Sequence, residues 1–160
     1  MGNVFFIADT HFGHKNIVKF RGNGMFASVE EHDEFLVEKW NARVNKRDKV
    51  FHLGDFAFKN IEIAERLNGL KVLVMGNHDL GKPAEYAKHF HRVSGCLLYK
   101  KYFLSHVPVF YEQDSWRGEF NVHGHLHNGK LNTGKHINVC CDHIEYAPLA
   151  FEELETLTEY

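Results

Sequence analysis

Residues 4–14 read Val-Phe-Phe-Ile-Ala-Asp-Thr-His-Phe-Gly-His, an apolar run that stops abruptly at Asp9 and His11. A short run with β-branched and aromatic content, closed by polar residues and glycine, predicts a buried strand over Asn3–Ala8. The same grammar recurs along the chain. Residues 49–56 (KVFHLGDF) end at Asp55, and residues 71–79 (KVLVMGNHD) at Asn77 and His78. Residues 102–108 (YFLSHVP) deliver His106, and residues 121–127 (NVHGHLH) deliver His125 and His127. Five strand-like runs that each end in Asp, Asn or His predict one shared centre at the strand exits. Two carboxylates, one amide and four imidazoles, with no thiolate, suit hard-to-borderline divalent cations and outnumber the ligands of one tetrahedral ion.

The segments between these runs set the fold class. Ser28-Val-Glu-Glu31 has the form of a capping box and predicts a helix to about Val44, with Phe35, Leu36, Trp40 and Val44 at helical spacing. Shorter helices are predicted at Ile61–Leu67 and from Pro83 to about Phe90, while Thr10–Met25 reads as loop. Strands at Lys49–Leu53 and Lys71–Met75 then alternate with helices, which predicts parallel pairs covered on both faces. From Gly95 onward four strand-like runs follow one another, at Cys96–Tyr99, Tyr102–Ser105, Phe120–Val122 and Ile137–Cys141. Periodicity predicts an antiparallel second half there, closed by a helix within Pro148–Tyr160. With no repeat or linker, residues 1–160 are expected to form a single domain.

Composition narrows the class. At 44% hydrophobic and 25% charged residues the chain is of ordinary globular type, and no apolar stretch approaches a membrane span. The formal net charge of −2 gives no basic footprint for broad nucleic-acid binding, although a nucleotide or short nucleic acid remains compatible. The start MGNVFFIADTHFG lacks the basic segment of a signal peptide. Three cysteines (Cys96, Cys140 and Cys141) form a poor disulfide framework, so small buried side chains and a cytoplasmic location are expected. Thirteen histidines are the compositional outlier, of which five lie in the motifs.

The order D-x-H, G-D, G-N-H-D, an isolated His after a strand, and G-H-x-H resembles the calcineurin-like metallophosphoesterase superfamily. The resemblance runs from Asp9 to His127, about three quarters of the chain, and is nearest to small single-domain bacterial and phage-type members. It implies a two-sheet β-sandwich flanked by helices, an α/β architecture. It implies one metal on Asp9, His11, Asp55 and His127, and a second on Asp55, Asn77, His106 and His125, with Asp55 bridging. The implied activity is hydrolysis of phosphate esters by a metal-bridging hydroxide, with His78 protonating the leaving group. Mn²⁺ is the expected metal, with Fe and Zn²⁺ also suited to such donors. Diesters or nucleotides are the expected substrates; the alternatives are monoesters, or a non-catalytic scaffold that has no reason to retain every ligand together with His78.

Further candidates have an ordinary reading beside the functional one. His14, Asn16, Arg21 and Arg117 are candidates for substrate contact, against roles in turns and surface contacts. Asp79 either orients His78 or ties a turn. His52 is a candidate for support behind the ligands, and His123 for a structural place beside them. Tyr111 and Trp116 are candidates for stacking a base.

Overall fold

The computed structural model describes residues 2–21, 24–110 and 118–158. Among the described residues nine strands form two sheets. The first is a five-stranded sheet in the order β4 (Arg92–Ser94), β3 (Leu70–Val74), β2 (Lys49–His52), β1 (Val4–Ile7) and β9 (Leu149–Ala150). The second is four-stranded, in the order β5 (Leu97–Tyr99), β6 (Tyr102–Leu104), β7 (Phe120–His123) and β8 (His136–Asn138).

Alternation along β1 explains why its sequence is apolar throughout. Phe5 and Ile7 face a layer containing α2 (Val29–Arg43), whose Leu36, Val37 and Trp40 pack with Val50 and Leu73. Phe6 and Ala8 face the other way, joining Phe51, Leu53, Val72 and Val74 against Tyr102, Leu104, Val122 and Ile137 of the second sheet. Both faces of the first sheet are therefore buried, as parallel strands require. The result is two mixed sheets flanked by helices, the two-sheet α/β architecture that the resemblance implies.

Helix α2 starts as the sequence predicts. Ser28 Oγ accepts from Glu31 N at 3.2 Å, but Glu31 reaches Ala27 N (2.7 Å) rather than Ser28. The other predicted helices are shorter: Ile61–Arg66 is a 3₁₀ turn, and α3 covers only Pro83–Tyr86. Such short segments form too few bonds to offset nucleation, so local packing decides their form. The predicted loop at Thr10–Met25 holds one turn of helix, α1 (Ile17–Phe20), and the C-terminal helix α4 is confined to Phe151–Thr156. Leu149–Ala150 is instead taken as the antiparallel edge of the first sheet by pairing with β1.

The expected antiparallel second half is corrected. β5 and β6 pair antiparallel, but β6–β7 and β7–β8 are parallel. Local periodicity carries no information about strand direction, which is set by the long connections at residues 105–119 and 124–135. This correction has a functional consequence. In a hairpin the exits of β6 and β7 would lie at opposite edges; as parallel strands they open at the same edge. The two sheets also meet at that edge, where Ala8 N donates to Val139 O and Cys141 N to Ala8 O, at 2.9 and 3.0 Å.

Candidate metal centre

The exits of β1 and β2 remain hydrogen-bonded beyond the strands. Asp9 N donates to Gly54 O at 2.9 Å and His11 N to Asp55 O at 3.0 Å. Beyond β6 and β7, Gly124 N donates to His106 O at 2.9 Å. Five of the seven predicted ligands, Asp9, His11, Asp55, His125 and His127, have φ between 45° and 67°. Side chains rarely adopt this left-handed conformation, which costs of order 1–3 kcal/mol per residue. The cost is borne where it turns side chains inward. Gly76 and Gly124 assist for a reason other than room for substrate: a Cβ at Gly76 would overlap Asp55, and one at Gly124 would overlap Asp9.

Two clusters result. In the first, His11 Nε2 lies 3.9 Å from Asp9 Oδ1 and 3.7 Å from Asp55 Oδ2, and His127 Nε2 lies 3.9 Å from Asp9 Oδ1. In the second, His106 Nε2 lies 2.9 Å from Asn77 Oδ1 and 3.4 Å from Asp55 Oδ1, with His125 Nδ1 at 3.1 Å from Asn77 Oδ1. Asp55 thus presents one oxygen to each cluster. Two ligands each roughly 2 Å from a common ion lie roughly 3–4 Å apart, so both sets have the separation a divalent cation requires.

Proton accounting tests the fit. Asp9 Oδ1 and both ring nitrogens of His11 are buried without a hydrogen-bond partner. Burial pushes His11 down to about 2 and Asp9 up to about 6. His11 is therefore a neutral lone-pair donor facing carboxylates. His106 Nδ1 lies 2.8 Å from Leu53 O and must donate to it, which turns Nε2 toward Asn77 and Asp55. Burial opposes a proton on that nitrogen, but the Asp55 hydrogen bond and the charges of Asp9 and Asp55 outweigh it and raise the pKa. A proton and a cation thus compete for His106 Nε2. Lone pairs converging with few protons among them fit a pair of divalent cations.

Surrounding residues hold these donors. Asp79 is buried and does the turn work: its carboxylate accepts from Asp55 N (2.9 Å), Phe56 N (2.9 Å) and Gly76 N (2.7 Å). It rivets the exits of β2 and β3 together rather than orienting His78. His52 Nε2 meets Thr10 Oγ1 at 3.0 Å, placing it behind the Asp9–His11 loop. His123 donates from Nδ1 to Gly124 O at 2.8 Å and stays out of both clusters.

Asp142 was not predicted. Its Oδ2 lies 3.3 Å from His127 Nδ1, so the N–H of that nitrogen can donate and leave Nε2 facing Asp9. Arg21 grips the same carboxylate at 3.1 and 3.0 Å. Its remaining donors go to Thr10 O and His32 Nε2, and to Asp9 O. The guanidinium is buried, and these contacts leave it no donor for a phosphate. Asp142 obeys the strand-exit grammar, following the apolar run Ile137–Cys141; a single acid without glycine or a second ligand concealed it. Asp142→Asn keeps an acceptor but loses the charge behind His127. The expected result is Mn²⁺ affinity weakened roughly 10–100-fold, as for other partners of ligating histidines. A Mn²⁺ titration checks this, and wild-type affinity would remove Asp142 from the centre.

The other candidates separate. His78 is exposed, its N–H donates to Asp55 Oδ1 at 2.9 Å, and its ring lies 5.8 Å from that of His11. His14 lines the adjoining cavity, whereas Asn16 is exposed at the start of α1 and makes no capping bond. Arg117, Tyr111 and Trp116 lie outside the described residues. Cys140 and Cys141 are buried as expected, but Cys96 is exposed. Among the described residues no helix is long and apolar enough to cross a membrane.

Comparison with known proteins agrees with this geometry. The profile of the calcineurin-like phosphoesterase family matches residues 2–157. An uncharacterized protein of Methanocaldococcus jannaschii is 34% identical, over 99% of this chain and 93% of its own length. The gene 66 protein of Mycobacterium phage L5 is 29% identical, over 86% of this chain and 83% of its own. In fold, the crystal structure of a protein of unknown function from Aquifex aeolicus superposes with a TM-score of 0.78. It covers 98% of this chain and all of that one at 24% identity.

Proposed function

This chain belongs to the calcineurin-like phosphoesterase family, and from that premise we propose that it hydrolyses phosphodiesters or nucleotides at a dinuclear centre. The family implies metal-dependent phosphoester hydrolysis, and clusters able to hold metal are present. In the proposed assignment Asp9, His11, Asp55 and His127 hold one cation, and Asp55, Asn77, His106 and His125 the other. The observation that carries it is Asp55, whose Oδ2 faces His11 while its Oδ1 faces His106. When bound, two divalent ions supply a hydroxide nucleophile at neutral pH and offset charge developing on the phosphate oxygens. Mn²⁺ is the proposed metal. A cytoplasmic location is part of the reading, on the odd cysteine count.

The protein's own groups do the rest. His78 is held by its backbone to the proposed bridging carboxylate, and its ring lies 5.8 Å from that of His11, outside the proposed ligand set. It is the proposed donor of a proton to the leaving oxygen. Left-handed backbone at the ligands and the Asp79 rivet preorganise the donors before substrate arrives.

Ester class follows from charge. Two divalent ions, the carboxylates of Asp9 and Asp55 and one hydroxide leave a centre of about +1. A singly charged diester neutralises that, whereas a dianionic monoester leaves excess negative charge. Arg21 cannot offset it, because its donors are already engaged. The expected result is that chelated protein is inactive and Mn²⁺ restores activity. At pH 7–8, bis-nitrophenyl phosphate should show a higher kcat/KM than mono-nitrophenyl phosphate. A clear preference for the monoester would overturn the diesterase reading and leave the metal assignment standing.

A further inference from the structure

A cavity of about 330 Å³ opens directly beside the first cluster, with His11, His127 and His78 at one end. Ile17 and Phe20 of α1, Phe58 with His14, Asn128, and Arg21 with Asp142 complete the lining. The His14 and Phe58 rings are stacked at 4.1 Å with an interplanar angle of 8°, and Phe58 lies against His78 at 5.2 Å and 29°. Phe20 is 73% exposed, although the next residue, Arg21, is buried against Asp9 O. Among the described residues no aromatic ring stacks on Phe20.

Charge sharpens the reading. The two charged residues in the cavity wall, Arg21 and Asp142, satisfy each other at 3.0 Å. No other Lys, Arg, Asp or Glu lines it among the described residues. Such a wall recognises a flat, uncharged group and offers nothing to a second phosphate. The volume lies at the low end for small-molecule sites, enough for one substituent and too little for a length of nucleic acid. His14 Nδ1, buried without a hydrogen-bond partner, supplies one polar contact on the aromatic wall.

We propose that this cavity is a specificity pocket for one planar, uncharged substituent of the phosphodiester, of nucleobase or aryl type, held against Phe20 and the Phe58–His14 stack. The proposal rests on the phosphodiesterase reading above and names the substrate class for it.

The test is calorimetric and needs no turnover. Mn²⁺-loaded protein is titrated with methyl(phenyl)phosphinate and with ethyl(methyl)phosphinate, singly charged diester mimics without an ester bond to cleave that differ in one substituent. The phenyl compound should bind roughly 10–100-fold more tightly, the range that stacking on an aromatic side chain provides. Phe20→Ala, at an exposed position, and Phe58→Ala should each reduce that ratio to a few-fold or less. Phe110→Ala, at another exposed aromatic outside the cavity, should preserve it. Equal binding of the two phosphinates by a protein that cleaves bis-nitrophenyl phosphate would overturn the pocket alone, as would a ratio insensitive to both Phe20→Ala and Phe58→Ala. A protein that binds neither phosphinate and cleaves no diester would overturn the phosphodiesterase reading and the pocket with it.

Discussion

Asp55→Asn is expected to lower kcat/KM for bis-nitrophenyl phosphate by more than about 10³-fold, beyond the loss from removing one preorganised electrostatic contact. Its two oxygens serve different clusters, at 3.7 Å from His11 and 3.4 Å from His106. Burial pushes the carboxyl up, but the His106 hydrogen bond and charge and the His78 N–H outweigh it and hold Asp55 down to about 2. The group is ionised, with one oxygen facing each cluster. Asparagine retains one oxygen, which can keep the His78 N–H, and turns an NH₂ toward His11, where a cation is to sit. Both the charge and one coordination contact are lost. Asn77→Ala removes a neutral oxygen from one cluster only and should cost less. Metal stoichiometry and rate are measured together: two Mn²⁺ per chain and near wild-type turnover in Asp55→Asn would remove the bridge from the proposal.

His78→Ala should retain both metals and lose roughly 10²–10⁴-fold in kcat, the usual scale for a lost general acid. Metal retention follows from the contact itself, since His78 meets Asp55 through its backbone N–H, which alanine also has. The deficit should shrink for a nitrophenolate leaving group, which scarcely needs a proton, and grow for an alkoxide. A deficit equal for both leaving groups would assign His78 to holding the phosphate instead.

The candidate ligands were legible because each follows an apolar run closed by a polar or glycine turn. Asp9, Asp55, Asn77, His106, His125 and His127 could be named from that grammar, and the structure brings them to one edge with His11. The layered architecture was legible for a related reason. Strands such as Val4–Ile7 are apolar at every position because both of their faces are covered.

Strand direction was not legible. A run of three or four residues has the same pattern whichever way its neighbour points, and the parallel pairing of β6, β7 and β8 arises from long connections. Nor could the roles of Arg21 and Asp142 be read, whereas the turn role of Asp79 was one of its two readings. Asp142 lies 121 residues from Arg21 in the chain, yet their carboxylate and guanidinium are 3.0 Å apart. Which partner meets a charged side chain depends on which exits the fold brings together, and local pattern does not encode that. The sequence by itself determined the kind of donors and their place at strand exits, because hydrophobic periodicity and turn chemistry are local. Only the tertiary structure decided which side chains support those donors and that an aromatic cavity lies beside them, because convergence depends on parallel pairing between strands distant in the chain.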